Sequence, residues 1–334
     1  MPIKKKLFNA PFVISLGSGG GKILSNIATS DLYYKIAINS SNKDLHMIKS
    51  KVDEIIICGN GNGSGMDPQR GQEDLHKRSR QIFKLIDSVC EETGTEEIDM
   101  IPIIATLGHG FGSGSLPELI SSLKKKYSNS LIIPFVVTPF NWEGNAVIQR
   151  AYDSLTALEV TPVVVSNEEV GTIFTDIGTS YDKINTLLGN LIQAIIQALT
   201  ATDGVLQTVD KNDFSKFLQG DMATMRYMKL KNAEELTVDL ILKKLDKRWF
   251  KTDMKKFSFG QMPEKLNVFY ILDGKGPFSP KVLGEISEYL SKRDFVNQDN
   301  IKPLLIERKT KGCNFVWLES GFTLKCDKNI YGVF

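Results

Sequence analysis

The chain has 334 residues, of which 42% are hydrophobic and 24% charged, with a formal net charge of +2. That share of apolar residues supports one large domain or two ordinary ones, and near-neutrality argues against non-specific nucleic-acid binding by the body of the protein. No apolar run reaches the roughly 18 residues of a membrane span, and the basic N-terminus lacks a signal-peptide core, so a cytoplasmic protein is expected. The four cysteines, Cys58, Cys90, Cys313 and Cys326, show no metal-type pairing and read as reduced thiols.

In chain order, the apolar run 7–16 reads as a strand that enters a glycine loop and then a helix from Lys22. Short strands follow at 34–39 and 54–58, then a glycine/asparagine loop at 59–65 and a polar helix at 69–89. A strand at 100–105 leads into a loop at 106–114 and a helix at 116–126. Beyond it come a strand at 131–137, a helix at 145–158 and a strand at 162–165. This alternation predicts an α/β fold with a doubly wound, mostly parallel sheet. The cleanest helix runs over 181–201, with Ile184, Leu188, Leu191, Ile192, Ile195 and Leu199 on one face. After it the pattern changes to a turn at 203–208, helices at 213–219, 234–245 and 280–289, and strands at 266–272, 304–309 and 314–318. The expected organisation is a nucleotide-binding domain over 1–180, a central helix over 181–202 and a smaller α/β domain over 203–334.

Two glycine loops follow apolar runs. Gly17, Ser18, Gly19, Gly20 and Gly21 form the first; Gly108, Gly110, Gly112 and Gly114, alternating with His109, Phe111 and Ser113, form the second. Glycine admits a close backbone approach, and a helix start after it presents N–H donors and a partial positive charge, which suits a phosphate. By itself the first loop fits a tight turn as well as a diphosphate cradle. It lacks the dinucleotide register, and Lys22 is followed by Ile23, which excludes the P-loop pattern. Tyr181 and Asn185 share a helix face at i and i+4, where an aromatic can stack and an amide can bond a purine edge. Asp210 and Asp213 could orient a water near a terminal phosphate, or could be solvated turn residues, with Asp213 capping the helix that follows.

Taken together and in order, these segments resemble the tubulin/FtsZ superfamily. After the two glycine loops the resemblance rests on Ile38, Asn39, Ser40 and Ser41 at a strand end, and on Gly63, Ser64, Gly65, Met66, Asp67 and Pro68 at the loop that senses the terminal phosphate. It continues through Pro117, through Val136 to Gly144 with Thr138, Pro139, Phe140 and Glu143, and through the strand ending at Asn167 and Glu168. Tyr181 and Asn185 then match the guanine-contacting positions, and the stretch from Leu206 to Asp213 matches the acidic loop. The resemblance covers about 12–245. It implies binding of GTP or GDP with Mg²⁺ through Gly17, Ser18, Gly19, Gly20, Gly21, Lys22, Asn39, Ser64, Gly65, Met66, Gly108, Gly110, Phe111, Gly112, Ser113, Gly114, Pro139, Glu143, Asn167, Tyr181 and Asn185. It also implies hydrolysis by Asp210 and Asp213 acting on the nucleotide of the next subunit in a head-to-tail homopolymer.

The chain departs from the family pattern at Lys22, Ile23, Leu24, His109, Phe111 and Thr208, and at Val147, where many FtsZ proteins carry an arginine. Lys22 is expected near the phosphates, in place of that arginine's charge. The chain ends at Phe334 with no FtsZ-type linker, which points toward plasmid- or phage-borne tubulins that move DNA, through an adaptor rather than by direct nucleic-acid contact. An FtsZ-like division protein, a non-hydrolysing nucleotide-binding scaffold and a dinucleotide oxidoreductase stand as alternatives. Against the last, Asn39, Ser40 and Ser41 occupy the strand end where an acidic residue would bind the ribose. The basic run 243–256 reads as a solvated face, with Trp249 and Phe250 leaving room for a partner contact.

Overall fold

A computed structural model describes residues 10–30, 33–167, 177–201, 203–207, 209–230, 237, 239–240, 260–261, 265–275, 278–292, 296–307 and 312–324. The basic run 243–256, Glu168, Thr208, Cys326 and the C-terminal residues 329–334 lie outside these, as does almost all of the helix expected over 234–245.

Phe8–Gln193 forms one compact unit. Its elements are β1 (Phe12–Leu16), α1 (Gly17–Asn26), β2 (Tyr34–Asn39), α2 (Asn42–Ile48), β3 (Glu54–Ile57), α3 (Pro68–Thr93), β4 (Met100–Thr106), α4 (Gly110–Lys126), β5 (Leu131–Thr138), α5 (Asn145–Thr156), β6 (Val163–Ser166) and α6 (Ile177–Leu199), the last running on past the unit's end. The strands lie in the order β3-β2-β1-β4-β5-β6 and every pairing is parallel. Ile14, Leu16, Ile101, Ile103, Ile104 and Phe135 are almost fully buried, as expected of parallel strands covered on both faces. The order reverses between β1 and β4, which opens a crevice at the carboxyl ends of those two strands.

The glycine segments are helix, not loop. α1 begins at Gly17 and not at Lys22, and α4 begins at Gly110, so only Leu107, Gly108 and His109 separate it from β4. Glycine costs helix propensity, which is why the sequence reads as loop here. Close packing overrides that cost: a Cβ on Gly20 would lie 2.6 Å from the Ile104 carbonyl oxygen, and one on Gly112 would collide with the Thr106 carbonyl. Likewise α6 starts at Ile177, four residues ahead of Tyr181. It docks on α1 where Gly189 faces Asn26, with Thr186 donating to Asn26 Oδ1 at 3.0 Å and Gln193 accepting from the Ala28 N–H at 2.9 Å.

The second unit takes the chain from Ala194 onward. It contains β7 (Val205–Gln207), α7 (Lys211–Phe217), β8 (Met222–Leu230), β9 (Gly260–Gln261), β10 (Leu266–Gly274), α8 (Pro280–Ser291), β11 (Val296–Glu307) and β12 (Cys313–Leu324). The strand order is β8-β12-β10-β11-β7, with β9 against β12; among these described pairings only β10 with β11 is parallel. Within the turn expected at 203–208, Val205–Gln207 form a short strand, because Val205 and Gln207 pair with β11 about 100 residues away in the chain. Helix α7 starts at Lys211 rather than at 213. Its packing brings Phe214 and Phe217 against Phe269, at ring-centroid separations of 4.9 Å and 5.5 Å.

Candidate functional site

The crevice between β1 and β4 is lined by helix starts. Leu16 ends β1 and Gly17 immediately opens α1; Thr106 ends β4 and α4 opens three residues later. The two starts touch, since a Cβ on Gly17 would lie 3.3 Å from the Gly112 nitrogen. The start of α3 closes the third side: a Cβ on Gly110 would meet the Asp67 nitrogen at 2.8 Å and Ser64 Cβ at 3.0 Å. A side chain at Gly17 or Gly110 would press on the neighbouring helix start.

The three starts differ in capping. Asp67 caps α3, accepting the N–H groups of Gln69 (2.9 Å) and Arg70 (3.4 Å), with Pro68 in the first turn. Leu16 and His109, the cap positions of α1 and α4, provide no side-chain cap, and neither first turn carries an acidic residue. The first N–H groups of a helix have no intrahelical acceptor, and each terminus carries roughly half a positive charge. Two uncapped starts side by side form a site for an anion bearing several oxygens, such as a diphosphate or triphosphate.

The walls are fastened by buried polar contacts. Ser40 and Ser64, both buried, share a hydrogen bond of 2.7 Å, and the Gly63 N–H donates to the Ser40 carbonyl at 2.8 Å, tying loop 59–66 to the end of β2. Asn39 is buried there and accepts from the Ser40 N–H at 2.8 Å. Gly65 and Met66 both adopt left-handed backbone, and Met66 is exposed. Ser113 turns back within α4, its hydroxyl accepting the Gly108 N–H at 2.8 Å. Phe111, a departure from the small residues of the family pattern, is buried, while His109 is half exposed. Lys22 is exposed one turn into α1.

An aromatic cluster forms a second part of the site. Phe140 stacks on exposed Trp142 at 5.3 Å and meets the edge of Tyr181 at 5.7 Å. Tyr181 is 36% exposed, and Asn185 is half-buried one turn further on. Glu143 joins this region to the anion cradle. Its Oε1 accepts the Phe140 N–H at 2.9 Å and its Oε2 lies 3.3 Å from His109 Nε2. Burial raises the Glu143 carboxyl, but the bonds from His109 and the Phe140 N–H outweigh it and hold the group below the ordinary carboxylate range. Burial, and then the Glu143 charge, push the Tyr181 phenol up. Pro139 is buried beside Gly108, and Asn167, just past β6, is half-buried.

Residues 12–171 match the tubulin/FtsZ family, GTPase domain. Over that segment the chain is similar to the tubulin/FtsZ family. A tubulin-like protein CetZ of Pyrococcus abyssi is 30% identical over 229 residues, which are 65% of this chain and 60% of that protein. The chain spans only 52% to 60% of the length of the first curated relatives it matches. Among solved structures, CetZ2 from Haloferax volcanii in a GTPγS-bound protofilament aligns with a TM-score of 0.75 at 18% identity, over 96% of this chain and 95% of that one. TubZ of Clostridium botulinum phage c-st aligns at 0.62 and 16% identity, over 98% and 95%. These likenesses show the shared fold, a mostly parallel sheet followed by a second α/β unit.

The acidic loop lies in the second unit. Asp210, not Asp213, caps α7, accepting the Asp213 N–H at 2.8 Å; the extended backbone at 210 places its carboxylate over the helix start. Asp213 sits in the first turn with Oδ1 3.2 Å from Lys302 Nζ, both side chains one-third exposed. Two residues of the nucleotide unit escaped sequence reasoning. Arg150 on α5 donates from Nε to the Gly108 carbonyl at 2.7 Å, and Ser154 donates to the Ser113 carbonyl at 2.8 Å. The available signal was the spacing of Val147, Arg150 and Ser154 at i, i+3 and i+7, one face of one helix.

Proposed function

We propose that the chain binds and hydrolyses GTP and assembles head to tail, each subunit completing the catalytic site of its neighbour. The observation that carries this reading is the pair of uncapped helix starts at the β1/β4 crevice, inside a segment matching the family's GTPase domain. The N–H groups of α1 and α4 receive the phosphates, the loop carrying Ser64, Gly65 and Met66 contacts the terminal one, Glu143 faces the sugar, and Tyr181 with Asn185 takes the base. Mg²⁺ accompanies the triphosphate. Among the described residues no cluster of three or more His, Cys, Asp and Glu is suited to a metal, so phosphate oxygens and water would supply most of its ligands.

Asp210 and Asp213 act on the nucleotide of the next subunit, orienting an attacking water at the terminal phosphate. In the free subunit their capping and Lys302 contacts hold them ready. A contact that joins one face to a different face generates open filaments. The matches to CetZ proteins support a cytoskeletal filament; movement of plasmid or phage DNA has only the fold likeness to TubZ behind it. The test is GTP turnover per subunit as a function of protein concentration, with electron microscopy in GTP and in GDP. A steep rise in turnover accompanied by filaments in GTP supports the reading. Turnover independent of concentration would refute it.

A further inference from the structure

The face of α5 that carries Val147, Arg150 and Ser154 is fitted to the segment joining β4 to α4. Val147 lies against Gly108, where an added Cβ would stand 2.5 Å from Val147 Cγ1 and 3.1 Å from its carbonyl oxygen. Gly108 has φ +100, a conformation that ordinary side chains rarely adopt and that glycine shares with others of different peptide orientation. Three contacts fix it: the Gly108 N–H on Ser113 Oγ (2.8 Å), the Ser113 carbonyl on Ser154 Oγ (2.8 Å), and the Gly108 carbonyl on Arg150 Nε (2.7 Å). Among the described residues only the last holds the peptide between Gly108 and His109, and it is charge-assisted, the stronger class of hydrogen bond.

In a planar trans peptide the C=O and N–H point in opposite directions. A Gly108 carbonyl drawn to α5 therefore turns the His109 N–H away from α5. His109 is the cap residue of α4, so this donor joins those of Gly110, Phe111 and Gly112 in an uncapped first turn. We propose that Arg150 is a positioning residue for phosphate binding: it locks the 108–109 peptide with its N–H, rather than its carbonyl, presented to the nucleotide. Without Arg150 the peptide can turn over and place a carbonyl oxygen among the donors, where it opposes an anion. The proposal deepens the nucleotide reading given above and rests on it.

The chain has three histidines, His46, His76 and His109, so selective ¹⁵N-histidine labelling gives three backbone amide signals, with His109 assigned from a His109→Gln variant. Full-length protein is titrated with GDP. The expected result is a large shift of the His109 amide and little movement of the other two. Arg150→Met should lose about tenfold or more in GDP affinity, the worth of one charge-assisted bond, and lose the His109 shift. Arg150→Lys, which can still donate to the same carbonyl, should recover most of both. Wild-type protein that binds GDP with an unmoved His109 amide overturns the proposal, even if Arg150→Met fails to fold. So does Arg150→Met with unchanged affinity. Wild-type protein that binds neither GDP nor GTP overturns the nucleotide reading as well.

Discussion

Gly71→Ala and Gly284→Ala are the same chemical change in two helices and should have opposite effects. In an open helical position, alanine is favoured over glycine by about 1 kcal/mol. Gly284 in α8 has no heavy atom within 4 Å of a built Cβ, so Gly284→Ala should stabilise the protein by about that amount. Gly71 lies in α3 against the start of α4, and its Cβ would stand 2.7 Å from the Gly110 carbonyl oxygen and 2.9 Å from Phe111 Cα. Ordinary contact begins at 3.4 Å, so α3 and α4 must separate by several tenths of an ångström, and both neighbours are backbone that cannot rotate aside. Overpacking of this kind costs about 1–3 kcal/mol, and the rigid neighbours put it at the upper end. After the helix-propensity gain, Gly71→Ala should be destabilised by about 1–2 kcal/mol. It should also bind GTP more weakly, because the displaced groups line the anion cradle. Denaturant unfolding followed by circular dichroism, with fluorescent GTP titration, reads both. A Gly71→Ala protein as stable as Gly284→Ala, with unchanged affinity, would refute the close approach of α3 to α4.

Asp210→Ser keeps a good N-cap and removes the charge; it should retain wild-type stability while GTP turnover falls, whereas Asp210→Ala should also lose about 1 kcal/mol of stability. A fully active Asp210→Ser would leave that carboxylate with capping as its whole role. Tyr181→Phe should bind GTP nearly as the parent does, and Tyr181→Ala should weaken it roughly tenfold, in line with about 1–3 kcal/mol for base stacking. The Glu143 carboxyl is held below its unfolded value, so its contribution is complete above about pH 4.3 and disappears as pH falls through the folded value. Melting temperatures of the parent and Glu143→Gln should therefore differ at pH 7 and converge under acid; a constant gap would contradict the shift.

Much of the nucleotide unit was legible because each parallel strand is a short apolar run bounded by glycine or polar residues, and strands such as Tyr34–Asn39 appear where that pattern places them. The helix starts at Gly17 and Gly110 were misread as loop, since glycine's low helix propensity hides a role that only close packing against Thr106 and Ile104 reveals. Strands β7 and β8 do not show in the sequence because their pairing partners lie some 80 to 100 residues downstream, in β11 and β12. Only the end of β11 was expected: Asn297, Gln298 and Asp299 break the apolar pattern that Leu304, Leu305 and Ile306 display. In the site, the glycines and the Tyr181/Asn185 pair were visible as motifs. The contacts of His109 with Glu143 and of Arg150 with Gly108 span 34 and 42 residues and follow from the fold alone.

The claim that a neighbour completes the catalytic site is tested most directly by mixing two impaired variants. Asp213→Ala keeps the nucleotide contacts and lacks an acidic-loop carboxylate; Tyr181→Ala with Asn185→Ala keeps the acidic loop and lacks the base contacts. Mixed at equal concentration, they should hydrolyse GTP faster than the sum of the two alone, because one holds the nucleotide and the other delivers Asp213. A mixture no faster than that sum, alongside a parent protein that turns over GTP at the same rate when dilute and monomeric, would contradict the account.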